Sequence, residues 1–393
     1  MSNNQKFKIK LVKELLVGDI VLHPVYRPDG LLFVKKYKKL TDSIIKHIRN
    51  HFPANFPLLV TKSEEDLHFY IHQYHRLPKD VHQMLYKVFR IHQQYIQIPL
   101  SFEHYGIQSH SKNQKVIEDG YFLNDLHSKF LTPMWEVIEQ TFDSKRILNR
   151  AKHINAKVNH LIRSDKSIQN LFSKIDEYHD ALFVHSLNTT CISFMIGLSL
   201  ELNDDSMVEL VMATLFADIG YTEYPKDTFT QHINSGKLNE TLMINHVKHS
   251  VEIIAQSPFC RRKNIVYGIL DHHENFDGTG LPNKKKKDEI HLFGKIIAIA
   301  QLYDELTGGY IKENSMLSFE ALEEVWKQRG IKLDPIIPRI FIDKANIYKM
   351  GEKIQLPSNE MATVIGFKDY INYPLHPIVI KSNGQMYDCT TRL

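Results

Sequence analysis

The sequence predicts a mainly α chain: a helical-bundle core between a small α+β N-terminal domain and a short β-rich C-terminal extension. Three observations carry this. From about residue 170 to 345, apolar residues recur at helical spacing in successive segments, and strand signals are nearly absent. Before residue 60, short extended runs flank the turn string Pro28-Asp29-Gly30. After Met350 the pattern turns strand-like again, with Asn383-Gly384 marking a turn. At 393 residues two or three domains are expected. The expected divisions are 1–60 (α+β), 61–165 (helical connecting region), 166–345 (helical core) and 346–393 (β-rich extension).

In chain order, Asp19 to Tyr26 reads as extended, Leu31 to Val34 resumes extended structure, and Thr41 is placed to cap a short helix through Arg49. His68, His72 and His75 share one helix face but have no acidic partner motif, so they read as a solvated or packed face. The core helices are expected over Leu182–Leu200, Ser206–Phe216, Thr241–Ala255, Lys263–His272 and Leu292–Leu306. Strands are expected at Lys353–Leu356, Met361–Gly366 and Ile378–Lys381.

Composition excludes some classes. Hydrophobic residues are 43% and charged residues 24%, ordinary for a globular chain. A net charge of +4 from 49 basic and 45 acidic residues gives no ground for a DNA or RNA partner. Cys191, Cys260 and Cys389 form no CxxC pair, so neither a disulfide framework nor a thiolate zinc site is expected, and a reducing cytoplasm suits them. The polar N-terminus has no signal-like segment. The most apolar stretch, Cys191 to Leu200, is too short to span a bilayer, so no membrane span is expected. The 22 histidines are the unusual entry, and they make a metal site worth seeking.

The strongest local signal is His272-His273-Glu274-Asn275-Phe276-Asp277-Gly278-Thr279-Gly280-Leu281-Pro282. At a helix end one histidine can point into the bundle while the loop redirects the other. Gly278 and Gly280 permit positive φ, and Pro282 stiffens the exit. Upstream, His185, Asp218 (in Ala217-Asp218-Ile219-Gly220) and His246 fall on separate helices. Imidazoles and carboxylates converging from several helices suit zinc, iron or manganese rather than calcium. Taken singly each has a plainer reading: a core histidine, a helix cap, a surface histidine. Their order with the double histidine points to a site.

On these residues the stretch from about 170 to 310 resembles the HD-GYP subgroup of the HD phosphohydrolases, bacterial signalling proteins that hydrolyse cyclic di-GMP. The strings Leu15-Leu16-Val17-Gly18-Asp19 and Val25-Tyr26-Arg27-Pro28-Asp29-Gly30, and the tail from Met350 to Lys381, are similar to the flanking domains of many such cores. The resemblance implies an HD-type bundle with His185, Asp218, His246, His272 and His273 as metal ligands. It places Glu274, Asp277, Gly278 and Gly280 in a substrate-facing loop, and makes Asp218 and Asp304 the candidate catalytic carboxylates. It also implies one or two divalent transition ions (iron or manganese, with zinc possible), cyclic di-GMP or a related dinucleotide as ligand, and signalling proteins as partners.

Departures from the family pattern bear on catalysis. Ala217 stands at the histidine of the HD pair, Tyr221 at a usual lysine, Ser250 at a glycine, Leu281 at the signature tyrosine, and Gln301 at the last aspartate ligand. Ala181 lacks a glutamate that some members carry, and Thr307-Gly308-Gly309-Tyr310 replaces an arginine-bearing segment. Alanine has no ligand atom and glutamine only a neutral carbonyl oxygen, so one metal position is weakened. Asp304 or His249, each one turn from an affected position, could compensate. Two readings lead, a weak cyclic-di-GMP phosphodiesterase or an inactive regulatory protein that binds a cyclic dinucleotide or a partner; a third, a purely interacting HD-like scaffold, ranks below them because it gives no role to the double-histidine string.

Overall fold

The computed structural model describes residues 6–72, 77, 79–95, 145–235, 239–308, 316–345 and, with single-residue gaps, 351–392. The chain opens with β1 (Lys8–Leu11), β2 (Ile20–Val21), β3 (Val25–Tyr26), β4 (Leu32–Val34), α1 (Asp42–His51), β5 (Pro57–Thr61), α2 (Glu64–His72) and α3 (Lys79–Tyr95). β1, β5 and β2 form an antiparallel sheet in that order, and β3 and β4 form a separate hairpin. The extended run expected over 19–26 is thus two strands. Pro24, which has no N–H to give to a ladder, lies between them. β5 was not expected from the sequence: as the middle strand it is buried at every position, so it shows no alternation to read. Thr41 does cap α1, its side chain accepting from the Ile44 amide. α3 packs on β5 and β1. The rings of His68 and His72 lie 4.1 Å apart, while His75 lies outside the described residues.

The helical core follows: α4 (Lys145–Ser164), α5 (Lys166–Tyr178), α6 (Asp180–Ser199), α7 (Asp204–Leu215), α8 (Lys226–Ser235), α9 (Glu240–Ile254), α10 (Lys263–Asp271), α11 (Leu292–Gly308), α12 (Ser318–Lys327) and α13 (Ile337–Ala345). One buried apolar cluster runs through it, including Ile154 and Val158 of α4. α6 is the central helix, packed on α5, α7, α11, α13 and β4. It is longer than the apolar segment read from the sequence and is apolar enough, at mean hydropathy 1.5, to pass for a membrane span. Its 94% burial inside the bundle accounts for that character. Two of its polar side chains are satisfied within the helix: Thr189 and Thr190 hydroxyls donate to the carbonyls of His185 and Ser186, at 2.8 and 2.6 Å.

The C-terminal segment is an antiparallel meander of β6 (Lys353–Gln355), β7 (Met361–Gly366), β8 (Ile378–Lys381) and β9 (Met386–Asp388). The last of these was not expected. Gly384, at φ +81°, makes the turn into it. The observed architecture is the mainly α bundle with small β-containing flanks that the sequence predicts.

Candidate metal centre

Asp218 begins the 3-10 turn Ile219–Glu223 that follows α7. Ser250 of α9 pins this turn, its hydroxyl donating to the Ala217 carbonyl at 2.7 Å and accepting from the Gly220 amide at 2.9 Å. A side chain at residue 220 would put its Cβ 1.9 Å from the His246 carbonyl. Glycine there lets the turn close on α9 and brings Asp218 to His246.

His246 is fully buried and stacks on Tyr221, with ring centroids 4.1 Å apart and planes 9° from parallel. α10 ends at Asp271, so His272 and His273 lie just beyond it and both turn inward. His246 Nε2 is 3.5 Å from His272 Nε2 and 3.2 Å from His273 Nε2. Asp218 Oδ1 is 3.3 Å from His246 Nε2 and 3.5 Å from His272 Nε2. One donor atom from each of Asp218, His246, His272 and His273 lies within 4.8 Å of every other, a group that could hold a metal ion.

The chemistry of these donors fits a cation. His246 Nδ1 lies 3.2 Å from the Leu242 carbonyl, and His272 Nδ1 lies 2.5 Å from that of Ile269. A neutral ring that gives its Nδ1 proton to the carbonyl presents a lone pair at Nε2. Such lone pairs face one another and a carboxylate, which repels without a cation and coordinates with one. Burial, then the neighbouring His272 and His246, hold His273 well below the ordinary imidazole value. Burial lowers His246 as well, so both favour the neutral, ligating form. For Asp218 burial favours the acid, but the imidazoles outweigh it and keep the carboxyl well below its usual range.

His185 stands beside this group rather than in it. Its Nε2 is 3.6 Å from Asp218 Oδ2, and its Nδ1 is 2.7 Å from Asp304 Oδ2. Burial works against its protonation, but Asp304 and then Asp218 push the ring up to about 9. Asp304 does not supply a replacement ligand: its other oxygen accepts from Asn188 Nδ2 at 2.9 Å and faces Arg27 Nη1 at 3.0 Å. Nor does His249, which is turned outward to Glu252 at 3.2 Å. Gln301 offers Asp218 its amide nitrogen, at 2.6 Å, rather than the carbonyl oxygen considered from the sequence.

A cavity of about 470 Å3 opens over the centre, walled by His185, Asp218, His272, His273, Gln301 and Leu281 among others. Glu274 and Gly280 also line it. The Glu274 carboxylate, however, braces the loop by accepting from the Asn283 and Lys285 amides at 2.6 and 2.9 Å. Asp277 and Gly278 are not in the wall. Asp277 Oδ1 accepts from the Thr279 amide and hydroxyl, and Gly278 makes the turn at φ +86°. Gly280 permits close passage, since a Cβ there would lie 2.1 Å from the Asn275 amide nitrogen. Sequence reasoning missed Glu305 and Lys332 in the wall and Arg27 behind Asp304. No local string marked the first two, and Arg27 belonged to a motif read only as a flanking likeness.

A family model described as an HD domain matches residues 152–337. The chain is 27% identical over 195 residues to a cyclic di-GMP phosphodiesterase of Pseudomonas aeruginosa, covering 48% of this chain and 45% of that protein. It is 25% identical over 217 residues to the cyclic di-GMP phosphodiesterase PdeB of Borreliella burgdorferi, covering 54% of each. It is also 29% identical over 111 residues to a 3'3'-cGAMP-specific phosphodiesterase of Vibrio cholerae, covering 28% of this chain and 21% of that protein. The chain thus spans about half the length of the first two relatives. An HD domain thus lies at the centre of the chain, which is similar over about half its length to cyclic-dinucleotide phosphodiesterases and carries its double-histidine string in the group that could hold a metal ion.

Proposed function

We propose that this protein works in cyclic-dinucleotide signalling, binding one divalent transition ion and hydrolysing cyclic di-GMP or a related dinucleotide weakly. The observation that carries this reading is the convergence of Asp218, His246, His272 and His273, three of which (Asp218, His272 and His273) line a cavity large enough for part of a dinucleotide. When bound, such an ion supplies positive charge to a phosphoryl oxygen and makes a nearby water more acidic. The protein's part is to hold the four donors together, with the Nδ1 protons of His246 and His272 already directed to backbone carbonyls. Lys332, in the wall, is a cation of the kind that offsets phosphate charge. Weakness follows from Ala217, which has no ligand atom, and from Gln301, whose amide occupies an oxygen of Asp218. Iron or manganese suits the mixed imidazole and carboxylate set, and zinc is compatible with it.

That same Gln301 contact favours a second reading, a regulatory protein that binds the dinucleotide without cleaving it. Purified full-length protein should be loaded with iron or manganese under reducing conditions, then assayed for metal content and for linear product from cyclic di-GMP and 3'3'-cGAMP. About one ion per chain with slow turnover is the expected result. Metal and nucleotide binding without product selects the second reading, and failure to bind metal overturns the metal-centre reading.

A further inference from the structure

Behind Asp304 lies a charge that belongs to the N-terminal domain. The loop of the β3–β4 hairpin runs from Arg27 to Leu31 and is closed by the Arg27 amide donating to the Leu31 carbonyl at 2.9 Å. It docks on α6 through Asn188, whose side chain accepts from the Leu32 amide at 3.1 Å and donates to the Leu32 carbonyl at 3.0 Å. This docking carries the Arg27 guanidinium, its side chain only 2% exposed, into the bundle. There Nε and Nη2 reach the two oxygens of Asp29 at 3.2 and 3.1 Å, and Nη1 lies 3.0 Å from Asp304 Oδ1. Tyr303, next to Asp304 on α11, donates its hydroxyl to Asp29 Oδ2 at 3.3 Å.

We propose that Arg27 is a positioning residue for the centre: gripped by Asp29, it clamps Asp304, and Asp304 fixes the His185 ring with Nε2 towards Asp218. The inference rests on the metal-centre reading for its consequence, but its geometry stands by itself. A buried guanidinium is costly to hold unless carboxylates offset its charge: Asp29 accepts hydrogen bonds from Nε and Nη2, and Asp304 forms an ion pair with Nη1. The two oxygens of Asp304 have separate tasks. Oδ1 faces Arg27 and Asn188, while Oδ2 takes the His185 Nδ1 proton at 2.7 Å. Without Arg27, Oδ1 keeps only the Asn188 contact, and the carboxylate is free to rotate away from His185. A histidine whose Nδ1–H is tied to a carboxylate has its ring orientation set, and outer contacts of this kind tune metal affinity in other sites. The fitness of the centre therefore depends on how the N-terminal hairpin is seated, although no residue of that domain is among the candidate ligands.

The test uses full-length protein and the variants Arg27→Met, Arg27→Lys and Lys35→Ala. Lys35 spans the same boundary between the N-terminal domain and the bundle, pairing with Asp176 at 2.6 Å and Asp180 at 3.4 Å, and touches neither Asp304 nor His185. Two quantities are read: the His185 Nδ1–H resonance in isotope-labelled metal-free protein, and the affinity and visible spectrum of added cobalt(II). Arg27→Met is expected to shift or broaden the His185 resonance and to weaken cobalt binding about 10- to 100-fold. Lys35→Ala should lower the melting temperature yet leave both quantities unchanged, which separates positioning from simple loosening of the boundary. Arg27→Lys keeps the charge but loses the fork, and should fall between. A folded Arg27→Met protein with wild-type resonance and cobalt affinity overturns the proposal. If that variant does not fold, wild-type values in Arg27→Lys do so. Should the wild-type chain bind no cobalt, the metal-centre reading fails, and the His185 resonance still decides the role of Arg27.

Discussion

Gln301 donates its side-chain amide to Asp218 Oδ2 at 2.6 Å, so a neutral group sits at the position where the sequence resemblance implies a carboxylate ligand. The contact satisfies one oxygen of a nearly buried carboxylate in the absence of a cation. Replacing it by Gln301→Asp puts two carboxylates face to face, and like charges at that range cannot both ionise without help. In chelator the variant should be less stable than wild type by about 1–3 kcal/mol. Manganese should then raise its melting temperature more than it raises that of wild type. Thermal unfolding with and without the ion checks this, and equal shifts in both proteins would refute it.

Adding Ala217→His to that change supplies the other missing ligand type. The double variant is expected to move metal content from about one ion per chain towards two and to raise turnover of cyclic di-GMP. Elemental analysis of dialysed protein and a product assay read both outcomes. No change in either would mean that residues 217 and 301 do not face a common metal position.

Tyr221 and His246 stack almost parallel, and this fixes the plane of a candidate ligand ring. Among the described residues, the Tyr221 hydroxyl has only a long contact to Met243 Sδ, at 3.5 Å. Tyr221→Phe should therefore stay within about 0.5 kcal/mol of wild type, whereas Tyr221→Leu should lose about 1–3 kcal/mol as the stacked face is removed. Denaturant unfolding measures both, and cobalt titration should show weaker binding only in Tyr221→Leu.

The helices that carry the centre were legible from their runs of apolar residues, as over Ser206–Phe216 and Thr241–Ala255, whereas the caps Asn203 and Asn239 that start α7 and α9 were not read from the sequence. The double histidine was legible because its ligands are adjacent and its glycines mark a turn. Other features were not. β5 is buried throughout and has no period to read. The orientation of Gln301 depends on which of its amide atoms meets Asp218. Arg27 and Asp304 are far apart in the chain, and no spacing rule connects them. The Asp277 side chain reads as a loop ligand in the string, yet folds back on Thr279 because the nearest donors are in its own turn.

Gly220 sets the distance between the Asp218 turn and α9. Gly220→Ala would force a Cβ to 1.9 Å from the His246 carbonyl, a backbone atom that cannot rotate away. The expected cost is on the order of 3 kcal/mol, with weaker metal binding because Asp218 must retreat. Ser250→Ala leaves the space intact but removes both tethers, to Gly220 and Ala217, and should cost about 1–2 kcal/mol. Urea unfolding midpoints rank the two. A Gly220→Ala protein as stable as wild type would show that the turn does not approach α9 this closely.

His23 gives the N-terminal domain an acid sensitivity that owes nothing to metal. Its Nδ1 gives its proton to the Pro24 carbonyl at 2.9 Å, and Nε2 accepts from the Leu59 amide of β5 at 3.1 Å. A second proton would have to displace that backbone bond inside the sheet. Burial lowers the His23 value to about 4, against a smaller opposing pull from the Pro24 carbonyl. His92, whose ring lies 4.9 Å away, is lowered to about 3 by burial and then by His23. Because the folded-state value lies below the unfolded one near 6.5, the unfolded chain takes up protons first as the pH falls. The stabilisation is therefore complete above about 6.5 and is lost progressively down to about 4. At pH 5 the loss from His23 alone is on the order of 2 kcal/mol. His92 does not simply add to it, because the two rings interact. Thermal unfolding in chelator at pH 7.5 and pH 5 should show the fall. His23→Gln, whose amide can both donate to Pro24 and accept from Leu59, should flatten it. An unchanged pH slope in that variant would place the acid-sensitive group elsewhere.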